Sequence, residues 1–140
     1  MMKKLLSPLS MGTDAATLLL RVIFGGMFVY FGYGKIEMYD AILPNFGDII
    51  GIGSELSFHL VIFAEFFCGL FVLLGFVTRF SVIPIFITMI VAYFVAHGND
   101  AFNDKMPAFI FMVLCLPVFI LGSGKYSLDY FIFKPKNDNT

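Results

Sequence analysis

Four side chains that can carry charge or donate a proton lie within or beside apolar stretches of the sequence: Lys35, Glu65, Tyr93 and His97. Ionisable groups are costly inside a bilayer, so they are candidates for function wherever such a stretch crosses one. A histidine or tyrosine can donate a hydrogen bond to a carbonyl, and a carboxylate can accept or relay a proton. We therefore take these four residues as the candidate ligand or proton site.

The composition of the chain limits the kind of protein that could carry such a site. Of its 140 residues 59% are hydrophobic and 14% are charged, and the formal net charge is −1. Globular domains average about 25% charged residues, and the composition is too apolar for a disordered chain. A nucleic-acid partner is not expected, because the basic excess of such binders is missing. We expect a single transmembrane domain over residues 1–140.

Four apolar stretches are long enough to cross a membrane as helices, over residues 15–33, 58–78, 80–97 and 106–124. A hydrocarbon core of about 30 Å needs about 20 helical residues, and helices satisfy their own backbone groups in lipid. The basic residues favour one side of these spans, namely Lys3, Lys4, Arg79, Lys125, Lys134 and Lys136, against Lys35 and Lys105 on the other. Because cytoplasmic loops carry such an excess, the prediction is an all-α four-helix bundle, up-down-up-down, with both termini cytoplasmic.

This topology brings the four candidate residues toward one another. Cα–Cβ bonds lean toward the N-terminus of a helix, so Lys35 and His97 lean into the membrane from its outer surface. Glu65, about 10 Å deep in the second span, leans up toward them, and Tyr93 lies one turn below His97. Two other interpretations of the cluster stay open: a charged network that only fixes helix register, and a proton or solute path.

Arg21 leans in the opposite direction, toward the cytoplasmic end. That direction separates it from Glu65, and Asp129, just past the fourth span, is the better partner. We therefore expect a structural ion pair between Arg21 and Asp129.

Two further sets of small residues concern packing and thiol chemistry. Small residues let membrane helices approach closely, so we expect helix packing at Gly25, Gly32 and Gly69. Cys68 and Cys115 lie at similar depth near the middle of the bilayer; they are either apolar fillers or a redox dithiol. The dithiol lacks a Cys-x-x-Cys spacing, and an apolar setting lowers thiol reactivity. No metal site is predicted, because the two histidines fall on different faces.

The first connection, residues 34–57, is a long outer loop that is rich in apolar residues. Such a loop is expected to lie on the bundle mouth or to dip into it. It is either an amphipathic segment at the membrane surface or a lid over a site.

The order of motifs along the chain resembles the DoxX family. These motifs are Arg21-x3-Gly25-x2-Phe28-x3-Gly32-x2-Lys35, Glu65-x3-Gly69 leading to Gly75-x2-Thr78-Arg79, Met89-x2-Ala92-x4-His97, and Gly122-x-Gly124-x2-Ser127-Leu128-Asp129. The resemblance implies a multi-pass protein of the bacterial cytoplasmic (inner) membrane. Members of the related DoxD type belong to a thiosulfate:quinone oxidoreductase, and other relatives work beside soluble thiol or superoxide enzymes.

Three functions remain open from the sequence. The first is a membrane subunit or partner of a redox system, whether quinone-linked, thiosulfate- or thiol-linked, or related to oxidative stress. The chain has no haem, flavin or iron–sulfur motif, so no intrinsic cofactor is expected. A quinone would bind the site, with a soluble oxidoreductase as partner.

The second function is that of a non-catalytic membrane anchor or assembly partner. The third is a small proton-coupled transporter, for which four helices would need a homodimer. Whether the chain is an enzyme stays open.

Overall fold

The structure is a computed structural model that describes residues 2–10 and 12–134. Its helices, in chain order, are α1 (Met2–Leu5), α2 (Thr13–Glu37), α3 (Tyr39–Ile42), α4 (Ser54–Leu74), α5 (Thr78–Ala96), α6 (Phe102–Leu121) and α7 (Leu128–Phe133), with a 3-10 turn at Leu43–Asn45. Four of them, α2, α4, α5 and α6, are long and apolar enough to cross a membrane. The prediction of an all-α chain with four candidate spans is confirmed; Lys136, used in predicting the orientation, lies outside the described residues.

Three helices extend past their predicted apolar spans into polar sequence. α4 begins at Ser54 instead of residue 58 and includes Glu55 in its first turn. α2 continues to Glu37 instead of ending at residue 33, so Lys35 is helical and does not belong to the loop. α6 begins at Phe102 instead of residue 106 and includes Asp104 in its first turn. Hydropathy locates the part of a helix that fits the hydrocarbon layer, and the helix itself continues into the interface as long as its backbone is bonded.

The predicted turn between the second and third spans is displaced by about one helical turn. α4 ends at Leu74, because Gly75 has a left-handed backbone with φ 72°, a conformation that commonly ends helices. The turn therefore comprises residues 75–77, and α5 already begins at Thr78. Arg79, predicted to lie in the turn, is in the first turn of α5.

The core of the bundle is formed by side chains from all four long helices. Its buried members are Phe24, Phe28, Cys68, Val72, Val82, Ile85, Met89, Cys115 and Val118. The rings of Phe24 and Phe28 lie 4.9 Å apart, and Phe111 packs edge-on against Phe28 at 5.0 Å. Cys68 and Cys115 are both free thiols inside this core, where they pack as small apolar side chains do.

Glycines allow α2 and α4 to approach each other closely. An added Cβ at Gly25 would lie 2.6 Å from the backbone nitrogen of Leu73, and one at Gly32 would lie 2.5 Å from that of Phe66. A Cβ at Gly69 would lie 2.8 Å from a side chain of α2. These distances are shorter than atoms can approach, so all three positions require glycine at the contact between the two helices.

Two of the long helices contain a single π-helical turn, at Phe63–Cys68 in α4 and at Ala92–Ala96 in α5. In a π turn each N–H bonds to the carbonyl five residues back, so it holds more residues than an α turn. The N–H of His97 accordingly donates to the carbonyl of Ala92 at 2.9 Å. π turns often occur at functional sites, and both of these contribute residues to the site described next.

Candidate functional site

Lys35 of α2 and Glu65 of α4 form an ion pair between the two helices. Nζ of Lys35 donates a hydrogen bond to Oε2 of Glu65 at 2.6 Å. The carboxylate side chain is 7% exposed and the lysine side chain 27%. A buried charge is costly unless it is paired, and Lys35 provides the partner that Glu65 needs. The structure thus brings two of the four residues predicted for the site into direct contact.

A cavity of about 310 Å³ adjoins this ion pair between α4 and α5. We call it the α4–α5 cavity. Most of its walls are apolar, with Leu60 and Val61 from α4 and Ile87 from α5 among them. Lys35, Glu65 and His97 also line it. The arrangement is an apolar chamber with an ion pair and an imidazole in its wall, which is suited to an apolar molecule with a polar group.

A second cavity, of about 200 Å³, lies between α2, α5 and α6. We call it the α6 cavity. The residues that line both cavities, and so separate them, are Lys35, Glu65, Met89, Ala92 and His97. The α6 cavity differs in containing Asp104 from the first turn of α6. The ion pair therefore has an apolar chamber on one side and a chamber with a further carboxylate on the other.

The connection between α2 and α4 forms one wall of the α4–α5 cavity. Phe46, Ile49 and Ile50 line it, and the ring of Phe46 packs 4.9 Å from that of Phe58. This apolar loop therefore packs against α4 and closes the cavity on that side. Its position favours the lid interpretation over a segment lying only on the membrane surface.

The same loop is joined to α4 by a polar contact. Tyr39 and His59 share a hydrogen bond of 2.7 Å between the phenol oxygen and Nε2, and their rings stack with centroids 5.6 Å apart. This contact fixes the start of the loop against the helix that carries Glu65.

His97 lies at the end of α5, where the two cavities meet the surface. It lines both cavities, and its Nδ1 lies 2.6 Å from Oδ2 of Asp100. Both side chains of this pair are about half exposed, at 49% and 47%. His97 therefore connects the cavities to the aqueous edge of the bundle, and its contact is with Asp100, not with Glu65.

The structure does not bring Tyr93, the fourth residue predicted for the site, to either cavity. Its ring packs against Phe94 and Phe109, with centroids 4.8 Å and 5.7 Å away, and Nζ of Lys105 lies 4.7 Å from its centre. It lines neither cavity. The π turn explains this, because the residue beneath His97 is the fifth one back, Ala92, and not the fourth.

Ser57 is a residue of the site that the sequence did not indicate. It is 5% exposed, it lines the α4–α5 cavity, and its hydroxyl has no hydrogen-bond partner among the described residues. A buried polar group without a partner is unfavourable by about 1–3 kcal/mol, so this hydroxyl is available to a ligand. The only sequence signal is a serine one residue before the predicted second span, and it is a weak one.

The expected ion pair between Arg21 and Asp129 does not form, although both residues are described. The guanidinium of Arg21 donates to the carbonyls of Val72 and Leu73, each at 3.2 Å, and to that of Tyr126. The carbonyls of Val72 and Leu73 lie at the end of α4, where the helix dipole favours a positive charge, and that of Val72 also accepts the N–H of Gly75 at 3.1 Å. The hydrogen bonds of the Arg21 guanidinium therefore go to backbone carbonyls and not to the carboxylate of Asp129.

Asp129 is likewise occupied by backbone and hydroxyl donors. Its carboxylate accepts from the N–H of Val77 at 2.8 Å and from that of Thr78 at 3.4 Å, and also from the hydroxyl of Ser123. Val77 has a left-handed backbone with φ 42°, which is strained for a β-branched residue. Asp129 thus holds an unfavourable turn in place at the start of α5.

Comparison with known proteins identifies the family. The family model described as DoxX matches residues 16–98, which is more than half of the chain. A protein of Bacillus subtilis named "Putative oxidoreductase CatD" is 28% identical over 131 residues, covering 89% of this chain and 92% of that protein. An uncharacterized protein of Haemophilus influenzae is 30% identical over 88 residues, or 59% of this chain, and the chain spans 58% of its length. No solved structure matches.

The family match includes the residues of the candidate site. Residues 16–98 contain Lys35, Ser57, Glu65 and His97, all of α4 and α5, and α2 except for its first three residues. Together with the four apolar helices, the match establishes what kind of protein this is. The chain is a multi-pass membrane protein of the DoxX family.

Proposed function

We propose that the protein is a membrane subunit of a quinone-linked redox system and that the α4–α5 cavity holds the quinone ring. The observation that carries this proposal is the Lys35–Glu65 ion pair, with its 2.6 Å contact, in the wall of an apolar cavity of about 310 Å³. The name of the Bacillus subtilis relative, an oxidoreductase, points to the same class of function.

The residues present fit such a group. Small-molecule sites are mostly apolar cavities of roughly 300–1,000 Å³ with a few polar groups that fix orientation, and this cavity lies at the lower end of that range. The ammonium of Lys35 and the unpartnered hydroxyl of Ser57 are both donors at its wall. A ring with carbonyl oxygens provides the acceptors that these donors need.

The role of each residue follows from its contacts. A quinone supplies the electron-accepting chemistry, and its reduction to a quinol takes up two electrons and two protons. The soluble oxidoreductase partner provides the electrons, since the sequence has no motif for an electron-carrying cofactor. Lys35 and Ser57 donate hydrogen bonds to the carbonyl oxygens, and Glu65 holds the ammonium in position and relays a proton.

Protons reach this pair from the end of the bundle where His97 meets the surface. His97 lines both cavities and contacts Asp100 at the aqueous edge. Asp104 adds a second carboxylate on the far side of the ion pair. The α6 cavity is therefore the proton route in this proposal, and the α4–α5 cavity is the route for the apolar ligand.

The proposal includes an orientation in the bacterial inner membrane. Contacts between α2 and α4 pair Gly25 with Leu73 and Lys35 with Glu65, an order that supports antiparallel neighbours and an up-down-up-down bundle. Arg79 and Lys125 lie at the end of the bundle away from Lys35. The basic excess at that end favours the cytoplasm, with both termini on the same side and the quinone site near the outer face.

A binding measurement with the naphthoquinone menadione tests the proposal. Lys35→Gln and Glu65→Gln should each raise the Kd by about tenfold or more, because each removes a charged hydrogen-bonding partner. Glu55→Gln is the matched control, since it makes the same change at an exposed position on the same helix. Ser57→Ala should raise the Kd about threefold to tenfold through the loss of one neutral hydrogen bond.

Two results would overturn the proposal. One is a wild-type protein, folded in nanodiscs, that does not bind menadione. The other is an equal Kd for the Glu65→Gln and Glu55→Gln proteins when both have wild-type melting temperatures.

A further inference from the structure

A further cavity lies at the other end of the bundle, away from the ion pair. It has a volume of about 630 Å³ and is bounded by the start of α5, the end of α6 and α7. We propose that this groove binds the headgroup of an anionic phospholipid. The proposal is independent of the redox function, because it concerns neither Lys35 nor Glu65.

Three cationic side chains from separate segments line the groove: Arg79, Lys125 and Lys134. Nε and Nη2 of Arg79 donate to the carbonyls of Phe119 and Ile120 at 3.0 Å and 3.2 Å. These bonds hold the guanidinium at the end of α6, where a positive charge is favourable. Arg79 is thus a fixed cation in the wall of the groove.

The two lysines are held less firmly. Nζ of Lys125 lies 3.8 Å from a carboxylate oxygen of Asp14, with both side chains well exposed, and exposed pairs of this kind contribute little. Nζ of Lys134 lies 5.3 Å from the ring centre of Tyr130. Among residues 2–10 and 12–134, no carboxylate lies within 4.0 Å of Lys134 or Arg79. Both lysines can therefore turn toward an anion.

The acidic residues of the groove do not balance these cations. Asp129 already accepts hydrogen bonds from two backbone N–H groups and from the hydroxyl of Ser123. These donors partly compensate the negative charge of its carboxylate. Asp14 is the remaining carboxylate, and it faces three cations. The groove keeps an excess of positive charge that can attract a phosphate diester.

The apolar part of the groove favours a lipid over free phosphate. Phe80 and Phe133 line the same cavity, and they are 76% and 66% exposed. Their rings lie beside the cations at the point where the spanning helices end. Basic pockets between helices near the cytoplasmic face are a known form of recognition for anionic headgroups, and the two rings provide a surface for acyl chains that inorganic phosphate would not use.

Native mass spectrometry of the full chain with equal amounts of phosphatidylglycerol and phosphatidylethanolamine tests the proposal. The wild type should retain phosphatidylglycerol preferentially. The variant Lys125→Gln/Lys134→Gln should lose that preference by about twenty-five-fold, because each basic residue at an anionic surface contributes about fivefold. The two single variants should fall between. Lys105→Gln is the control, since it removes a lysine at the opposite end of α6. Arg79 is left unchanged because it bonds the end of that helix.

Three outcomes would contradict the binding of an anionic lipid in this groove. Equal retention of the two lipids by the wild type overturns it, as does undiminished preference in a double variant with wild-type melting temperature. Displacement of phosphatidylglycerol by an equal concentration of inorganic phosphate would assign the groove to free phosphate and reject the lipid.

Discussion

Arg21 and Asp129 secure the same turn between α4 and α5 at its two ends, and they do so without forming an ion pair. Arg21 donates to the carbonyls of Val72 and Leu73 at the end of α4. Asp129 accepts from the N–H of Val77 just before α5. Each charge is opposite in sign to the partial charge of the helix end that it contacts. The two residues thus clamp the turn through the backbone.

The first prediction concerns this clamp. Arg21→Ala and Asp129→Ala should each destabilise the folded protein by about 2–4 kcal/mol, because each leaves several backbone groups without a charged partner. Thermal unfolding in detergent, followed by the loss of monodisperse protein, measures the change. Lys125→Ala is the control, because its 3.8 Å contact with Asp14 is exposed.

The charge-swapped double variant Arg21→Asp/Asp129→Arg distinguishes the clamp from an ion pair. A clamp predicts no rescue, since an aspartate cannot donate to carbonyls and an arginine cannot accept from N–H groups. Recovery of more than about half of the lost stability would instead show that a direct pair exists in solution.

The second prediction uses two glycines on α2. Gly32→Ala should destabilise the protein by about 1–3 kcal/mol, because the new Cβ would lie 2.5 Å from the backbone nitrogen of Phe66. Gly34→Ala should be neutral or stabilising by up to about 1 kcal/mol, since its Cβ would meet no described atom within 4 Å. Melting temperatures of the two variants make the comparison. Equal changes in melting temperature at both positions would show that the contact between Gly32 and α4 does not set the effect.

Much of the fold could be predicted because it follows from the chemistry of lipid. The four spans are visible as apolar stretches, and the direction of Cα–Cβ bonds is enough to place Lys35 and Glu65 near each other. That expectation agrees with the 2.6 Å contact. The helix ends at Glu37 and Leu74 could not be predicted from hydropathy, because they depend on backbone hydrogen bonds and on the left-handed conformation of Gly75.

The differences between the expected and the observed positions of Tyr93 and Arg21 have two physical causes. The π turn at Ala92–Ala96 shifts the face of α5, and regular α periodicity therefore placed Tyr93 where Ala92 lies. The expectation of an Arg21–Asp129 ion pair rests on the direction in which Arg21 leans, which identifies the right end of the bundle, whereas its acceptors there are backbone carbonyls, which every residue carries. Neither a π turn nor a carbonyl acceptor leaves a pattern in one sequence.

The third prediction is that Lys35 and Glu65 are energetically coupled. Lys35→Gln alone leaves a buried carboxylate unpaired and should destabilise the protein by about 3 kcal/mol or more. In Lys35→Gln/Glu65→Gln two amides can bond each other, so the double variant should be more stable than the lysine variant. A double-mutant cycle from thermal unfolding gives the coupling, expected above about 1 kcal/mol. Additive losses would mean that the pair does not form in the membrane protein.

The fourth prediction concerns the thiols. Cys68 and Cys115 are 3% and 2% exposed, so a water-soluble maleimide should label neither in the folded protein and both after denaturation in SDS. The mass of the intact chain reports the number of labels. Cys68→Ala/Cys115→Ala should keep menadione binding within about twofold, because both side chains act as fillers in the core. Rapid labelling of the folded protein, or a disulfide under oxidising conditions, would reopen the dithiol interpretation.

The fifth prediction separates Ala92 from its neighbour. Ala92 lines the α4–α5 cavity beside His97, whereas Tyr93 packs against Phe109 of α6. Ala92→Leu should fill part of the 310 Å³ cavity and raise the Kd for menadione about tenfold or more. Tyr93→Leu should leave the Kd within about twofold, although it loses aromatic contacts worth roughly 1 kcal/mol. The opposite order of effects would place Tyr93 in the site and α-helical bonding at this end of α5.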